Sequence, residues 1–265
     1  MNITDPAKKV AVLYATRGGM GDVGKFAMAL AKLEPSLSCT VFPVALSVEN
    51  SDEGSDKGLH VDVEDAGSKE KIDRLLEAME GGITKIDVSS ESAEQEIAAA
   101  IDGADAVISC LGNREPSMER WASPGTAKVV AAMKTKKIDR LVSLSSMGIG
   151  KDLLKTTPLT VLWSVLLRTV LRSARRDLLA LEDTVRGSGL DYALVRPVGL
   201  TPSEPPRGSC DTLSSKGSLA FMLSKSDAAA FVLREALDPT VRGREVTIGY
   251  AASTPGATAA AGSAK

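Results

Sequence analysis

Short apolar runs that do not alternate in polarity recur along this chain, with stretches of helical spacing between them. The first is Val10-Ala11-Val12-Leu13-Tyr14-Ala15-Thr16, which is rich in β-formers and stops at a glycine cluster. Further runs follow at 39–46, 83–88, 105–110, 140–144, 191–195 and 245–248. Between them, helical spacing appears at 22–33, 69–79, 93–101, 126–133, 169–186 and 227–237. In the first of these, Val23, Phe26, Ala27, Leu30 and Ala31 share one face, and Pro35 lies just beyond the end. Strands without polarity alternation are buried on both sides, which requires helices on both faces of a parallel sheet. The fold class is therefore α/β, with a mostly parallel, doubly wound sheet. Pro43 inside the second run interrupts the hydrogen-bond ladder of that strand.

Composition narrows the function. The 265 residues carry 32 Lys+Arg against 34 Asp+Glu, a formal charge of −2, so no overall cationic field is offered to a nucleic acid backbone. At 43% hydrophobic and 25% charged residues, the chain has enough apolar content to fold. Cys39, Cys110 and Cys210 show no metal-ligand or redox spacing, which fits a reducing compartment and no metal site. No apolar run reaches the length of a membrane span, and Met1 to Pro6 lacks the pattern of a secretory signal. A cytoplasmic or organellar soluble compartment follows, without a choice between them. The expected organisation is one domain over 1–250, an acidic surface excursion at 47–70, and a mobile tail over 251–265 rich in alanine.

Gly19-Met20-Gly21-Asp22-Val23-Gly24 matches G-x-G-x-x-G between a predicted strand and a predicted helix. Glycines there permit a tight turn and close backbone approach, while amides at the helix start attract a pyrophosphate. A structural turn without a ligand is the competing reading. An NAD site also calls for an acid about 20 residues onward. Val44, Ala45, Leu46 and Ser47 stand there instead, and the first acid is Glu49. Arg17 lies inside the turn, where it would face a 2′-phosphate, so NADP is the expected cofactor; the alternative is an arginine in solvent.

Several pieces in order then resemble the atypical short-chain dehydrogenases/reductases, in particular their NmrA-like and biliverdin/flavin-reductase-like branch. They are residues 15–21, 86–88, 103–112, 141–146, 188–197 and 226–231. The resemblance implies a Rossmann-like NAD(P)-binding domain with a small C-terminal substrate-facing region. It places Thr16, Arg17, Gly18, Gly19, Met20, Gly21, Asp22 and Val23 around the phosphates, and Asp87 by the adenine. Cys110, Leu111 and Gly112 would line the adenine-ribose side, Ser145 and Ser146 would border the nicotinamide, and Arg196-Pro197 would end a strand beside the cofactor. Two departures stand out. Tyr14 occupies the place where a glycine usually opens the turn, with one extra residue among the glycines. The family's Tyr-x-x-x-Lys is missing as well: only Tyr14, Tyr192 and Tyr250 exist, and the corresponding places fall near Ala174 and Leu178. Neither side chain transfers a proton, so a conventional secondary-alcohol dehydrogenase is poorly supported.

Ser145, Ser146 and Glu182 remain as candidate catalytic residues. The serines can contact a carbonyl or an amide, or cap a loop. Glu182 can border the substrate, or pair with Arg186 four residues on. Arg168, Arg172, Arg175 and Arg176 form a basic face for an anionic ligand, or a solvated surface. Arg196 can anchor the helix beneath its strand. His60 lies in the acidic excursion, and Cys110, Trp121 and Trp163 read first as packing groups. The apolar segment 159–170 suits a buried crossover helix, a lid over a cleft, a protein partner or self-association. The leading expectation is an NADPH-dependent reductase of a small or planar conjugated acceptor, an anionic one included. A noncatalytic NADP-binding regulatory or assembly protein is the alternative.

Overall fold

The computed structural model describes residues 7–15, 19–47, 82–112, 120–149, 172–201, 210–212, 219–220 and 222–251, together with Arg74 and Gly208. Its elements in chain order are β1 Lys8–Ala15, α1 Gly19–Leu33, β2 Cys39–Ser47, β3 Thr84–Asp87, α2 Ala93–Ala100, β4 Ala106–Cys110, α3 Ala122–Lys136 and β5 Arg140–Leu144. Then come α4 Arg172–Arg186, β6 Asp191–Pro197, β7 Gly199–Thr201, β8 Asp211–Thr212, β9 Met222–Ser224, α5 Lys225–Leu237 and β10 Arg244–Gly249. The main sheet has the order β3-β2-β1-β4-β5-β6-β10-β8. Every pairing in it is parallel except that of the edge strand β8 with β10. This is the mostly parallel, doubly wound Rossmann-like α/β sheet that the runs predict. The strand order reverses between β1 and β4, and in open α/β sheets ligands bind outside the carboxyl ends at that reversal.

β1 shows why its run does not alternate. Val10, Val12 and Tyr14 pack on one face with Val23, Phe26 and Ala27 of α1 and Ala228, Phe231 and Val232 of α5. Ala11, Leu13 and Ala15 pack on the other with Ile97 of α2, Val129 and Met133 of α3, and Leu178, Leu181 and Val185 of α4. Burying each such large aliphatic side chain contributes about 1.5–3 kcal/mol, so both faces must be apolar. Pro43 is accommodated because β2 pairs with β3 only from Val44 onward, which leaves the proline in a stretch bonded to β1 alone.

Boundaries differ from expectation where tertiary contacts intervene. α1 begins at Gly19 rather than Asp22, because glycines that disfavour a helix are here pressed against the end of β1. α3 begins at Ala122 rather than Thr126, since Pro124 is tolerated in a first turn and Asp177 caps the start. α5 begins at Lys225, where Ser224 accepts hydrogen bonds from the amides of Ser226 and Asp227 at 3.2 and 3.5 Å. The helix expected over 69–79, the acidic excursion with His60, the segment 159–170 with Trp163, Arg168, and the tail beyond 251 lie outside the described residues, apart from Arg74, which is helical. No helix among the described residues is long and apolar enough to cross a membrane.

Candidate functional site

The parallel strands deliver their carboxyl ends to one edge. Asp87 of β3, Ser47 of β2, Ala15 of β1, Cys110 of β4, Leu144 of β5 and Pro197 of β6 stand along it in that order. α1 starts at this edge directly after β1. The first four amides of an α-helix, here Gly19 through Asp22, have no acceptor within the helix.

The fit of α1 against the strands depends on two glycines. A Cβ on Gly21 would lie 2.1 Å from the carbonyl oxygen of Ala15, so the first turn of the helix rests on the end of the strand. A Cβ on Gly24 would lie 2.7 Å from that of Tyr14 and 3.3 Å from that of Cys110. Gly24 thus makes room for Tyr14, the residue that departs from the family pattern, which is buried in the core beneath α1. This close helix-strand packing at the strand-order reversal is the setting a dinucleotide diphosphate needs, and the residues present fit one. Thr16, Arg17 and Gly18 lie outside the described residues, and of Gly19 and Met20 only the helical backbone is described. Asp22 and Val23 follow in the first turns, with Val23 in the core and Asp22 facing Lys225 at 2.5 Å.

The adenine-side candidates are held from several elements. Asp87 accepts hydrogen bonds from the amide and hydroxyl of Ser89, at 2.9 and 2.7 Å. Lys128 of α3 donates to the carbonyls of Val88 and Ser90 at 2.8 and 2.7 Å, which fixes the loop after β3. Cys110, Leu111 and Gly112 are buried at the end of β4, and burial pushes the Cys110 thiol far above its ordinary pKa. Beside them, the Asp177 carboxylate of α4 accepts from the amides of Trp121, Ala122 and Ser123 at 3.2, 3.0 and 3.0 Å. The first turn of α3 is therefore capped by a residue from another helix. Asp177 was not among the sequence candidates, and nothing in its local sequence marks it.

At the ends of β5 and β6 the structure brings Ser145, Glu182 and Arg196 together. All three are buried. Ser145 Oγ donates to Glu182 Oε1 at 2.7 Å, and its amide donates to the Val195 carbonyl at 2.8 Å. Arg196 donates from Nε to Oε1 at 2.8 Å and from a terminal nitrogen to Oε2 at 2.7 Å. Arg186 reaches Oε2 at 2.7 Å, which is the pair expected from helical spacing. Burial alone would push the Glu182 carboxyl up. The hydrogen bonds from Arg196, Ser145 and Arg186 outweigh it and hold the group below the usual carboxylate range. Ser146 is half-buried and donates to the Met147 carbonyl at 3.2 Å. Pro197 is buried at the end of β6, and its carbonyl accepts from the Met147 amide at 3.0 Å.

Ala174 and Leu178 are buried on α4, and none of the three tyrosines lies on that helix. Tyr192 is low on β6, and the Tyr250 hydroxyl donates to Asp227 of α5. Arg172 and Arg176 are exposed, whereas Arg175 is half-buried and its Nε has no hydrogen-bond partner among the described residues. Among the described residues, no group of three or more His, Cys, Asp or Glu side chains is placed to hold a metal ion.

Comparison with solved structures returns the same architecture. A short-chain dehydrogenase/reductase (wide type) from Veillonella parvula in complex with NADP aligns over 94% of this chain and 96% of its own, at 15% identity and a TM-score of 0.62. An anaerobillin reductase from Escherichia coli O157:H7 aligns over 94% and 100%, at 18% identity and 0.60. A Rossmann-fold NAD(P)-binding family protein from Shigella flexneri aligns over 94% and 98%, at 17% identity and 0.53. At such identities the likeness establishes the fold. The sequence profile of the NAD(P)H-binding family matches residues 60–239, more than half of the chain and downstream of the glycine turn. By that match and by its sheet, the chain belongs to the Rossmann-like NAD(P)H-binding family.

Proposed function

We propose that this protein is an NADPH-dependent reductase of a small or planar conjugated acceptor, acting without the Tyr/Lys acid pair of its relatives. The observation that carries the reading is the seat of α1: Gly21 and Gly24 let the helix start lie against β1 and β4 at the strand-order reversal. Under this reading the opening amides of α1 hold the diphosphate. Asp87 and the 110–112 turn border the adenosine, and Arg17 faces the 2′-phosphate. Bound NADPH would supply a hydride to the acceptor.

The chain's own part is to orient and to exclude water. Glu182 acts as a positioning residue: it accepts the hydrogen bond of the Ser145 hydroxyl and clamps Arg196, so the lone pairs of the Ser145 oxygen are left to accept from an amide N–H. Ser146 completes that border. With Ala174 and Leu178 where an acid pair would stand, solvent or an ordered water supplies the proton while bulk water is kept out, which suits a conjugated acceptor reduced at carbon. Arg175 on the same helix, whose Nε has no hydrogen-bond partner among the described residues, favours an anionic one.

The test is a binding titration with NADPH and NADH, followed by a screen of quinones, flavins and linear tetrapyrroles for loss of the reduced-nicotinamide absorbance. Tighter NADPH binding, lost in Arg17→Ala, with turnover of at least one acceptor class supports the reading; NADPH and NADH bound equally by wild type and variant removes the role of Arg17. A second reading rests on the same missing acid pair: a noncatalytic NADP-binding protein that regulates or assembles a partner, for which the segment 159–170 is the sequence candidate. Binding without turnover of any acceptor selects it.

A further inference from the structure

The chain turns as it leaves β3, and the bonds that hold the turn can be followed outward from α3. Lys128 lies on α3, one turn beyond Gly125, where a Cβ would meet the side chains of Leu111 and Val88 at 3.4 and 3.8 Å. This part of α3 therefore lies against both loops of the adenine side. From it the half-buried Lys128 ammonium donates to the Val88 and Ser90 carbonyls, at 2.8 and 2.7 Å, across 40 and 38 positions of chain. Both bonds are charge-assisted, which makes them stronger than the neutral bonds of an ordinary turn.

The two carbonyls flank Ser89. Holding them on one ammonium sets the direction of the residue between, and Ser89 turns both of its donors to Asp87. Its amide lies 2.9 Å from Oδ1, and its hydroxyl lies 2.7 and 2.8 Å from the two carboxylate oxygens. The backbone closes the same turn: the Ser90 amide donates to the Asp87 carbonyl at 3.2 Å, and the Val88 amide donates to the Ser47 carbonyl of β2 at 2.9 Å. Asp87 is thus oriented before any ligand arrives, by a residue that Lys128 holds. A carboxylate ordered in advance loses little further freedom on binding. It accepts without donating, so it favours a purine that carries an amino group over one that carries an oxo group.

We propose that Lys128 is a positioning residue for adenine recognition: by gathering the Val88 and Ser90 carbonyls it fixes Ser89, and through Ser89 it aims the Asp87 carboxylate at the adenine amino group. This rests on the dinucleotide reading above. It gives α3 a part in selecting the base of the cofactor.

The test compares NADPH with its hypoxanthine analogue, in which an oxo group replaces the adenine amino group. Kd is measured by fluorescence titration of both ligands for the wild-type chain, Lys128→Met and Lys128→Arg, with thermal midpoints of the cofactor-free proteins alongside. The wild-type chain should bind NADPH about tenfold more tightly than the analogue. Lys128→Met should weaken NADPH about five- to tenfold and leave the analogue within about twofold, so that the discrimination largely disappears. Lys128→Arg, whose fork still reaches two carbonyls, should keep the discrimination to within about twofold of wild type. A purely structural lysine would lower the thermal midpoint of Lys128→Met without moving the ratio of the two affinities. If Lys128→Met does not fold, Lys128→Gln, with a shorter and neutral donor, should bring the discrimination down to about threefold. An unchanged ratio in the folded variants, or a wild-type chain that binds NADPH and its analogue equally, overturns this inference alone. No NADPH binding by the wild-type chain overturns the dinucleotide reading and this inference with it.

Discussion

Arg196 closes a two-pronged ion pair on Glu182, at 2.8 and 2.7 Å, with both side chains shut off from solvent. The pair joins β6 to α4 under the end of β5, and Ser145 completes it. A buried pair of this kind is not strongly stabilising against an apolar replacement, but removing one partner strands the other.

Glu182→Ala should therefore cost about 3–5 kcal/mol in urea unfolding, with Glu182→Gln costing less because its amide oxygen still accepts from Arg196. The pH dependence has a definite sign. The folded value is lowered, so the contribution of Glu182 is complete above the unfolded carboxylate value of about 4.3 and is lost as pH falls through the lower folded value. Wild type should lose more stability than Glu182→Gln over that acid window; parallel acid profiles would remove the assignment.

Asp177→Ala strands three amides at the start of α3, and Trp121 supplies no side-chain cap of its own. A loss of about 1–3 kcal/mol is expected in denaturant unfolding, with Asp177→Asn recovering part of it. No change on Asp177→Ala would mean that water serves those amides equally well.

Gly24→Ala puts a methyl group 2.7 Å from the Cβ of Tyr14, and neither atom can turn away because both are fixed to backbone. The helix must lift from β1 at a cost of about 1–3 kcal/mol. A lower thermal midpoint is expected together with NADPH binding weakened by about tenfold or more, since a displaced α1 moves its opening amides. Unchanged affinity would separate the helix seat from the ligand.

The thiols give an independent check on the core. Burial raises Cys110 far above its ordinary value, burial followed by the Asp227 charge pushes Cys210 up to about 12, and burial raises Cys39 as well. At about pH 8 the native chain should react slowly with a disulfide reagent, and all three thiols should react at once in denaturant. Fast labelling of Cys110 in the native state would contradict its burial.

How much of this was legible beforehand depends on how far each feature reaches along the chain. The run Arg140–Leu144 is a strand to the residue, and the Glu182–Arg186 pair follows from helical spacing, because both are set by neighbours within four positions. The place of Asp177 beneath Ala122, 55 positions away, and of Lys225 on Asp22, 203 positions away, carries no local mark. Arg196 had a legible place at a strand end, but its partner was decided by which helix lies across β6.

By itself the sequence determined the class of sheet and the direction of its strands, since continuous apolar runs act locally and admit few arrangements. Only the tertiary structure decided which charges meet at the carboxyl edge. Cross-chain ion pairs and caps arise from how helices settle on the sheet, and that settling is governed by the summed burial of both faces rather than by any one residue's neighbours.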